Sequence, residues 1–240
     1  MIKRSFIRKC ALPAAAWLAL CPLFAEQNSA HIFDIPETFK KADAPEIDIP
    51  AVPENSARDA EESGRLPEIS GAAFADKNIM GRGETGADIL SLFLLSVNGG
   101  ADPEFVRELA ACYTEEAEAE GVNHDIAFAQ MCLETGFLRY GGLVTADMNN
   151  FCGLGSIGPG EPGESFSSAR IGVRAHIQHL KTYATNSPLN NELVDPRRRW
   201  VRQGSAPVLK NLSGTWAADP QYSYKIGVIL GRLYTFKPDF

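Results

Sequence analysis

A glutamate that ends an apolar stretch is the side chain of this sequence best suited to acid–base chemistry. Glu134 follows residues 126–133, Ile-Ala-Phe-Ala-Gln-Met-Cys-Leu, whose composition predicts a buried helix. Burial disfavours the charged form of a carboxyl group unless a partner compensates. A carboxyl group that keeps its proton near neutral pH can act as a general acid. The alternative interpretation is a glutamate that only caps or pairs at the end of the helix.

Two later segments carry amide and aromatic side chains. The first is residues 149–155, Asn-Asn-Phe-Cys-Gly-Leu-Gly, and the second is residues 214–222, Gly-Thr-Trp-Ala-Ala-Asp-Pro-Gln-Tyr. Asparagine also suits a tight turn, and phenylalanine and tyrosine also suit a packed core. Structural roles for these residues therefore stay open beside functional ones.

Helical periodicity indicates the elements that would position these segments. Apolar residues recur at helical spacing over residues 88–97, and the Asn-Gly-Gly of residues 98–100 ends that run. Asp102 is a suitable N-cap for a second helix, with Pro103 at its first position. Gly121 is predicted to end this second helix, and a third helix is predicted to begin directly after it.

The third helix delivers Glu134, and its predicted cap is Asn123. Residues 145–168 are rich in glycine, serine, asparagine and proline, which predicts a loop and a short hairpin facing the helices. Helices are predicted again at three later places: residues 172–184, around Trp200, and residues 222–233.

Together these segments resemble the bacterial wall-lytic N-acetylglucosaminidases of glycoside hydrolase family 73. That family has a helix ending in A-x-x-E-(S/T)-G-(W/F), an N-N-(L)-F-G-(I/L) turn and a final A-T-D-P-x-Y segment. The corresponding motifs here are residues 130–136, 149–155 and 214–222, in the same order. The resemblance covers residues 88–233.

The resemblance implies a mainly α (α+β) fold, a lysozyme-like helical domain with a small β-hairpin lobe, over residues 86–240. It implies peptidoglycan glycan strands as the substrate, cut at the β-1,4 bond after N-acetylglucosamine, with no cofactor. Glu134 would be the general acid, and Tyr222 would contact the reacting sugar. The other substrate-binding residues implied in this way are Gln130, Asn149, Asn150, Phe151 and Trp216.

A second carboxylate is the part of this scheme that the sequence leaves open. Glycoside hydrolysis usually uses two, and the candidates are Glu164, Glu161 and Asp147. Glu164 is our choice as a catalytic residue, because the Ser-Phe that follows it suits the return strand of a hairpin. The Gly-Leu-Gly-Ser of residues 153–156 stands where many relatives have a lysine after the glycine. If no second carboxylate takes part, the acetamido group of the substrate is the alternative nucleophile.

Two rival functions follow from the same features. A lytic transglycosylase of the same fold needs only one acid–base glutamate, and it leaves an anhydro-sugar end instead of adding water. A non-catalytic module that binds the cell wall is the second rival. The carboxyl group of Glu134 argues against this second rival, because binding alone does not require an acid there.

The N-terminal segment predicts export. Basic residues precede an apolar stretch, residues 11–24, that is short for a membrane span, so residues 1–25 are interpreted as a signal peptide. A lipid anchor at Cys21 is the alternative, although lipoprotein signals usually have a smaller residue than Leu20 before the cysteine. Residues 26–85 are acidic and proline-rich, which predicts a disordered linker. We therefore expect a periplasmic, cell-envelope or extracellular protein.

The composition limits the classes of partner. The chain of 240 residues has a net charge of −7, and loss of the four basic residues of the leader makes it −11. Such a charge argues against nucleic acid as a partner. The hydrophobic fraction of 45% is sufficient for a core, and the interpretation is a monomer.

Three cysteines and two histidines remain for other chemistry. Cys112, Cys132 and Cys152 lie outside the leader, and export would allow a Cys132–Cys152 disulfide or, alternatively, three buried thiols. His176 and His179 are three residues apart, on one face of a predicted helix. Packing or surface roles fit them better than zinc, because further ligands are scarce. No metal site is predicted.

Overall fold

A computed structural model describes residues 70–156, 158 and 161–238 of the chain. The described residues form mainly α-helices, which confirms the mainly helical prediction. The helices are α1 Ala87–Val97, α2 Pro103–Glu120, α3 His124–Thr135, α4 Ala169–Ala184 and α5 Tyr222–Thr235. Short 3-10 turns lie between them at Gly71–Phe74, Ala146–Met148, Arg198–Trp200 and Leu209–Leu212. The predicted signal peptide and most of the predicted linker lie outside the described residues.

The ends of α2 and α3 are set by the capping residues that the sequence predicts. The Asp102 side chain accepts a hydrogen bond from the backbone N–H of Glu104 at 3.0 Å. Asn123 accepts in the same way from the first turn of α3. Gly121, between the two helices, has a φ of 72°, a left-handed conformation that glycine adopts without steric cost.

The central element of the core is α3. It packs against α2, α4 and α5, and every one of its residues is buried except Glu134. Phe128 and Met131 are fully buried, and Phe128 meets Tyr113 of α2 edge to face at 5.6 Å between ring centroids. A helix surrounded in this way has no freedom to rotate, so it fixes the direction of its one partly exposed carboxylate.

The segment predicted as a β-hairpin lobe is an irregular loop in its described part. Its β-type pairing there is an isolated bridge between Gly158 and Glu161. The backbone N–H of Glu164 donates to the carbonyl of Leu154 at 2.8 Å, and Pro162 has no N–H to offer a ladder. The described residues of this segment therefore do not show the predicted hairpin lobe.

The folded domain begins before residue 86, the boundary that the sequence analysis gives. The turn at Gly71–Phe74 packs on α5, and Ile79 is fully buried. A Cβ on Gly71 would lie 2.1 Å from the carbonyl oxygen of Tyr224, so only glycine permits this close approach to α5. The end of the predicted linker, residues 70–85, is therefore part of the folded domain.

The three cysteines of the domain are buried thiols. The predicted Cys132–Cys152 disulfide is wrong, since no bond joins the two sulfur atoms in the structure. Cys132 lies in the main core, whereas Cys152 packs with Leu154 and Ala175 in a separate small cluster. Burial raises the pKa of the Cys132 thiol far above its ordinary value, so this thiol stays protonated and unreactive. In the described part of the chain, no helix has the length and apolar character needed to cross a membrane.

Ion pairs to buried carboxylates join α2 to α4. The Lys181 ammonium donates to Glu120 Oε2 at 2.7 Å, and both side chains are almost completely buried. Arg174 donates to Glu116 Oε2 at 2.7 Å in the adjacent turn. Burial by itself would raise the pKa of Glu120, but hydrogen bonds from Lys181 and from two backbone N–H groups outweigh burial and lower it. Glu116 behaves in the same way beside its arginines.

These two carboxyl groups predict loss of stability in acid. Their ordinary pKa is 4.5, and folding lowers the pKa of each. A lowered folded-state pKa adds stability that is complete above 4.5 and is lost as the pH falls through the folded-state value. We expect the free energy of unfolding, measured by urea denaturation, to fall steeply below about pH 4. The fall should be shallower in a Glu116→Gln variant, and an unchanged slope there would contradict the assignment.

Candidate active site

Glu134 occupies the C-terminal end of α3. Its side chain is partly exposed, in contrast to the rest of the helix. Gly136 has a φ of 58°, and the backbone N–H of Phe137 closes the helix on the carbonyl of Cys132 at 2.8 Å. The chain therefore turns away directly beyond Glu134 and leaves its carboxylate at the surface of the core.

Two side chains from distant parts of the sequence donate to the same oxygen of Glu134. The Tyr222 hydroxyl donates to Oε1 at 2.5 Å across 88 residues. The Trp216 indole N–H donates to Oε1 at 3.2 Å across 82 residues. Hydrogen bonds to an ionised acceptor are shorter and stronger than neutral ones. The first and third sequence motifs therefore meet at one carboxylate.

Tyr222 is a hydrogen-bond donor to Glu134. Its side chain is 3% exposed, and its oxygen accepts a hydrogen bond from Gln130 Nε2 at 2.7 Å. Burial and the negative charge of Glu134 raise the pKa of Tyr222 well above its usual value. The hydroxyl consequently stays protonated, accepting one hydrogen bond and donating the other to Glu134.

Trp216 is held in place by aromatic neighbours on α4. Its ring lies 5.7 Å from His176, 5.1 Å from His179 and 5.5 Å from Tyr183, measured between centroids. The His179 ring meets it edge to face and is itself anchored, because Nδ1 lies 2.7 Å from a carboxylate oxygen of Asp195. These contacts fix the direction of the indole N–H.

Asn149, Asn150 and Phe151 lie between the 3-10 turn at Ala146–Met148 and α4. Asn149 has a φ of 51°, which asparagine tolerates better than most residues. Asn150 is 1% exposed, exchanges hydrogen bonds with the backbone of Leu154, and donates to the carbonyl of Glu164 at 2.9 Å. Phe151 is fully buried in the main core. The structure therefore gives these residues the turn and packing roles that the sequence left open.

Glu164 is held by an arginine. Arg197 Nε donates to Glu164 Oε1 at 2.5 Å, and the two side chains are 27% and 29% exposed. The guanidinium lies against Gly155, where a Cβ would be 2.7 Å from Arg197 Nη2. The other candidates for a second carboxylate, Glu161 and Asp147, are exposed. Glu164 is thus the more strongly positioned of the three.

Comparison with known proteins identifies the family. The glucosaminidase family model, described as mannosyl-glycoprotein endo-beta-N-acetylglucosaminidase, matches residues 110–235. The chain belongs to this family. An uncharacterized protein of Borreliella burgdorferi is 40% identical over 158 residues, which are 66% of this chain and 78% of that protein. The resemblance to glycoside hydrolase family 73 is confirmed, and the domain is a glycosidase domain of the kind that acts on peptidoglycan.

The glucosaminidase domain also contains site residues that the sequence analysis missed. His176 is hydrogen-bonded to Tyr113 and Gln130, whereas His179 is hydrogen-bonded to Asp195. The two histidines therefore hold different residues around the site. Their spacing was the available signal, but nothing in the sequence identified their partners. In residues 70–156, 158 and 161–238, no three histidine, cysteine or acidic side chains are grouped as metal ligands.

A Tyr222→Phe variant of the glucosaminidase domain should remain folded and lose about 10²-fold in kcat. The phenyl ring keeps the packing, but Glu134 loses the hydrogen bond that the Tyr222 hydroxyl donates at 2.5 Å. Rates of release of reducing ends from purified cell walls would measure this. The matched control is Tyr224→Phe, an exposed tyrosine on the same helix. Equal rates for both variants would contradict a role for the Tyr222 hydroxyl.

Proposed function

We propose that this domain hydrolyses peptidoglycan glycan strands at the β-1,4 bond after N-acetylglucosamine, with Glu134 as the general acid. The observation that carries the proposal is the convergence of Tyr222 and Trp216 on one oxygen of that glutamate. Family membership supports the class of substrate, and the position of Glu134 at the end of α3 supports its role.

The proposed reaction begins with proton transfer. Protonated Glu134 gives its proton to the glycosidic oxygen as the bond from that oxygen to the sugar C1 breaks, and positive charge develops on the ring. Glu134 becomes a carboxylate in the same step. The donors from Tyr222 and Trp216 already point at its Oε1, so they stabilise the new charge without rearranging. Water then adds its hydroxyl group to C1, and the group that acts as base takes up the remaining proton.

Two groups are candidates for the other half of the reaction. Glu164 could act as a base or nucleophile, but its salt bridge to Arg197 would have to open first. The acetamido group of the substrate requires no such movement. A Glu164→Gln variant distinguishes the routes: a large loss of kcat supports the carboxylate, and a rate near that of the wild type supports the acetamido group.

Product analysis tests the bond that is cut. Purified peptidoglycan would be digested with the full chain in water enriched in ¹⁸O, and the muropeptides analysed by mass spectrometry. We expect new reducing ends of N-acetylglucosamine that carry one ¹⁸O atom. Reducing ends of N-acetylmuramic acid would show that the neighbouring bond is cut, which contradicts the proposed specificity.

A lytic transglycosylase activity is the second candidate. The engagement of Glu164 by Arg197 favours it, because such an enzyme needs only the one acid–base glutamate. It would form anhydro-muramic ends without incorporating ¹⁸O. The same digestion therefore separates the two activities.

We further infer that the protein works outside the cytoplasm as a monomer. In this scheme residues 1–25 are a leader and the acidic segment that follows it is a tether. A lipid anchor at Cys21 is the alternative. N-terminal sequencing and fractionation of the mature protein would test the export route. A mature chain that begins at a lipid-modified Cys21 would replace the soluble form by the anchored one.

A further inference from the structure

A chain of hydrogen bonds runs from the helical core to Glu134. The Tyr113 hydroxyl lies 2.9 Å from His176 Nδ1, and His176 Nε2 lies 3.1 Å from Gln130 Oε1. Gln130 Nε2 donates to the Tyr222 oxygen at 2.7 Å, and Tyr222 donates to Glu134 Oε1 at 2.5 Å. The members come from α2, α4, α3 and α5, so packing of all four helices is needed to assemble the chain.

The chain of hydrogen bonds has a direction, because each of its members has a limited number of protons to donate. Tyr222 has one hydroxyl proton and donates it to Glu134, so Gln130 must face Tyr222 with its N–H group. The carbonyl end of the same amide then faces His176, which must carry its proton on Nε2. A neutral imidazole has one N–H, so Nδ1 accepts the hydroxyl proton of Tyr113. Every donor in the chain therefore points toward Glu134.

The environment of His176 keeps its ring neutral. The side chain is fully buried, and burial together with the nearby His179 lowers the pKa of His176 to about 3. Burial also raises the pKa of Tyr113 well above its usual value, so the hydroxyl keeps its proton. The ionisable groups that act on this chain of hydrogen bonds from the packed elements are Cys112, Tyr113, Cys132, Tyr140, Cys152, His179, Tyr222 and Glu134.

We propose that Tyr113, His176 and Gln130 are positioning residues that fix the direction of the Tyr222 O–H bond toward Glu134. If the amide of Gln130 were reversed, its carbonyl oxygen would compete with Glu134 for the single hydroxyl proton of Tyr222. With its proton on Nε2, His176 disfavours that reversal, because an N–H group pairs with a carbonyl oxygen and not with an NH₂ group. Tyr222 is then ready to stabilise the carboxylate that proton transfer creates. The inference rests on the proposed role of Glu134 as the acid.

The position of the proton on His176 can be measured without any substrate. The full chain would be labelled with ¹⁵N-histidine, and the His176 signals assigned by their loss in a His176→Gln variant. We expect a neutral ring protonated on Nε2 over about pH 5 to 8. A charged ring, or a proton on Nδ1, would overturn the proposal. This result does not depend on whether Glu134 is catalytic.

Activity measurements test the consequence for catalysis. His176→Leu removes the N–H that orients Gln130, so kcat should fall about tenfold. In the pH profile of kcat for this variant, the decline on the alkaline side should move to higher pH. The reason is that Tyr222 stabilises the Glu134 carboxylate less often. His176→Gln keeps an N–H near the position of Nε2 and should restore most of both properties. The matched control is His124→Gln, a buried histidine at the other end of α3 that bonds the Thr85 carbonyl.

The outcomes separate the failure of this inference from the failure of the proposed function. Equal losses in His176→Leu and His176→Gln, with an unmoved decline on the alkaline side, would reduce His176 to a packing residue and overturn the inference. If His176→Leu does not fold, Tyr113→Phe replaces it, with a smaller shift in the same direction expected. If the wild type cuts no glycan strands, the proposed function is wrong, and the histidine spectra still decide the direction of the chain.

Discussion

Glu134→Gln is expected to reduce glycan-strand cleavage by about 10³-fold or more while the domain stays folded. The glutamine keeps the shape of the side chain and can still accept hydrogen bonds from Tyr222 and Trp216. Its amide has no acidic proton to give to the leaving oxygen. Because the side chain is partly exposed at a helix end, the free energy of unfolding should change by less than about 1 kcal/mol. Clearing of cell walls embedded in a gel, followed by muropeptide kinetics, measures the loss.

The control for this variant is Glu108→Gln, an exposed glutamate on α2. It should clear the gel as the wild type does. Equal clearing by Glu134→Gln and the wild type would remove Glu134 from the reaction. If neither clears the gel although both bind cell walls, the domain is a binding module.

Lys181→Met is expected to have the largest effect on stability, a loss of about 3–5 kcal/mol. The substitution leaves the Glu120 carboxylate buried between α2 and α4 without its counterion. Backbone N–H groups of Asn190 and Asn191 still donate to that carboxylate, but they bring no positive charge. Urea denaturation at neutral pH, followed by circular dichroism, measures the change.

A double variant and an exposed pair control this measurement. Glu120→Gln combined with Lys181→Met removes both charges and should recover a large part of the loss. Lys210→Met breaks an exposed pair with Asp76 and should cost less than about 1 kcal/mol. If the Lys181 and Lys210 variants lose the same stability, burial of the first pair has no energetic importance.

The elements that depend on local chemistry could be predicted from the sequence. Asp102, Asn123 and Gly121 set helix ends through contacts within a few residues, and these contacts are in the structure as expected. The apolar run before Glu134 also predicted the burial of α3. The hairpin lobe is not shown: its described residues have one isolated bridge, and proline lacks the N–H that a strand ladder needs.

The supports of the site depend on long-range packing. The contact of His176 with Gln130 spans 46 residues, and that of Arg197 with Glu164 spans 33. Their partners are decided by how α4 lies on α3 and where the following loop returns. Residue spacing within a single helix carries no information about either.

The close approach of Gly71 to α5 affects how the domain can be isolated. The family match begins at residue 110, yet Lys77 and Ala75 bind the backbone of residues 209 and 210, and Glu84 binds the buried Asp125. A fragment cut at residues 110 and 235 would lose these hydrogen-bond partners of Asp125, Leu209 and Lys210. The smallest fragment that folds on its own is therefore longer than the residues that match the family. Expression fragments designed from residues 110–235 alone would lack part of the packed domain.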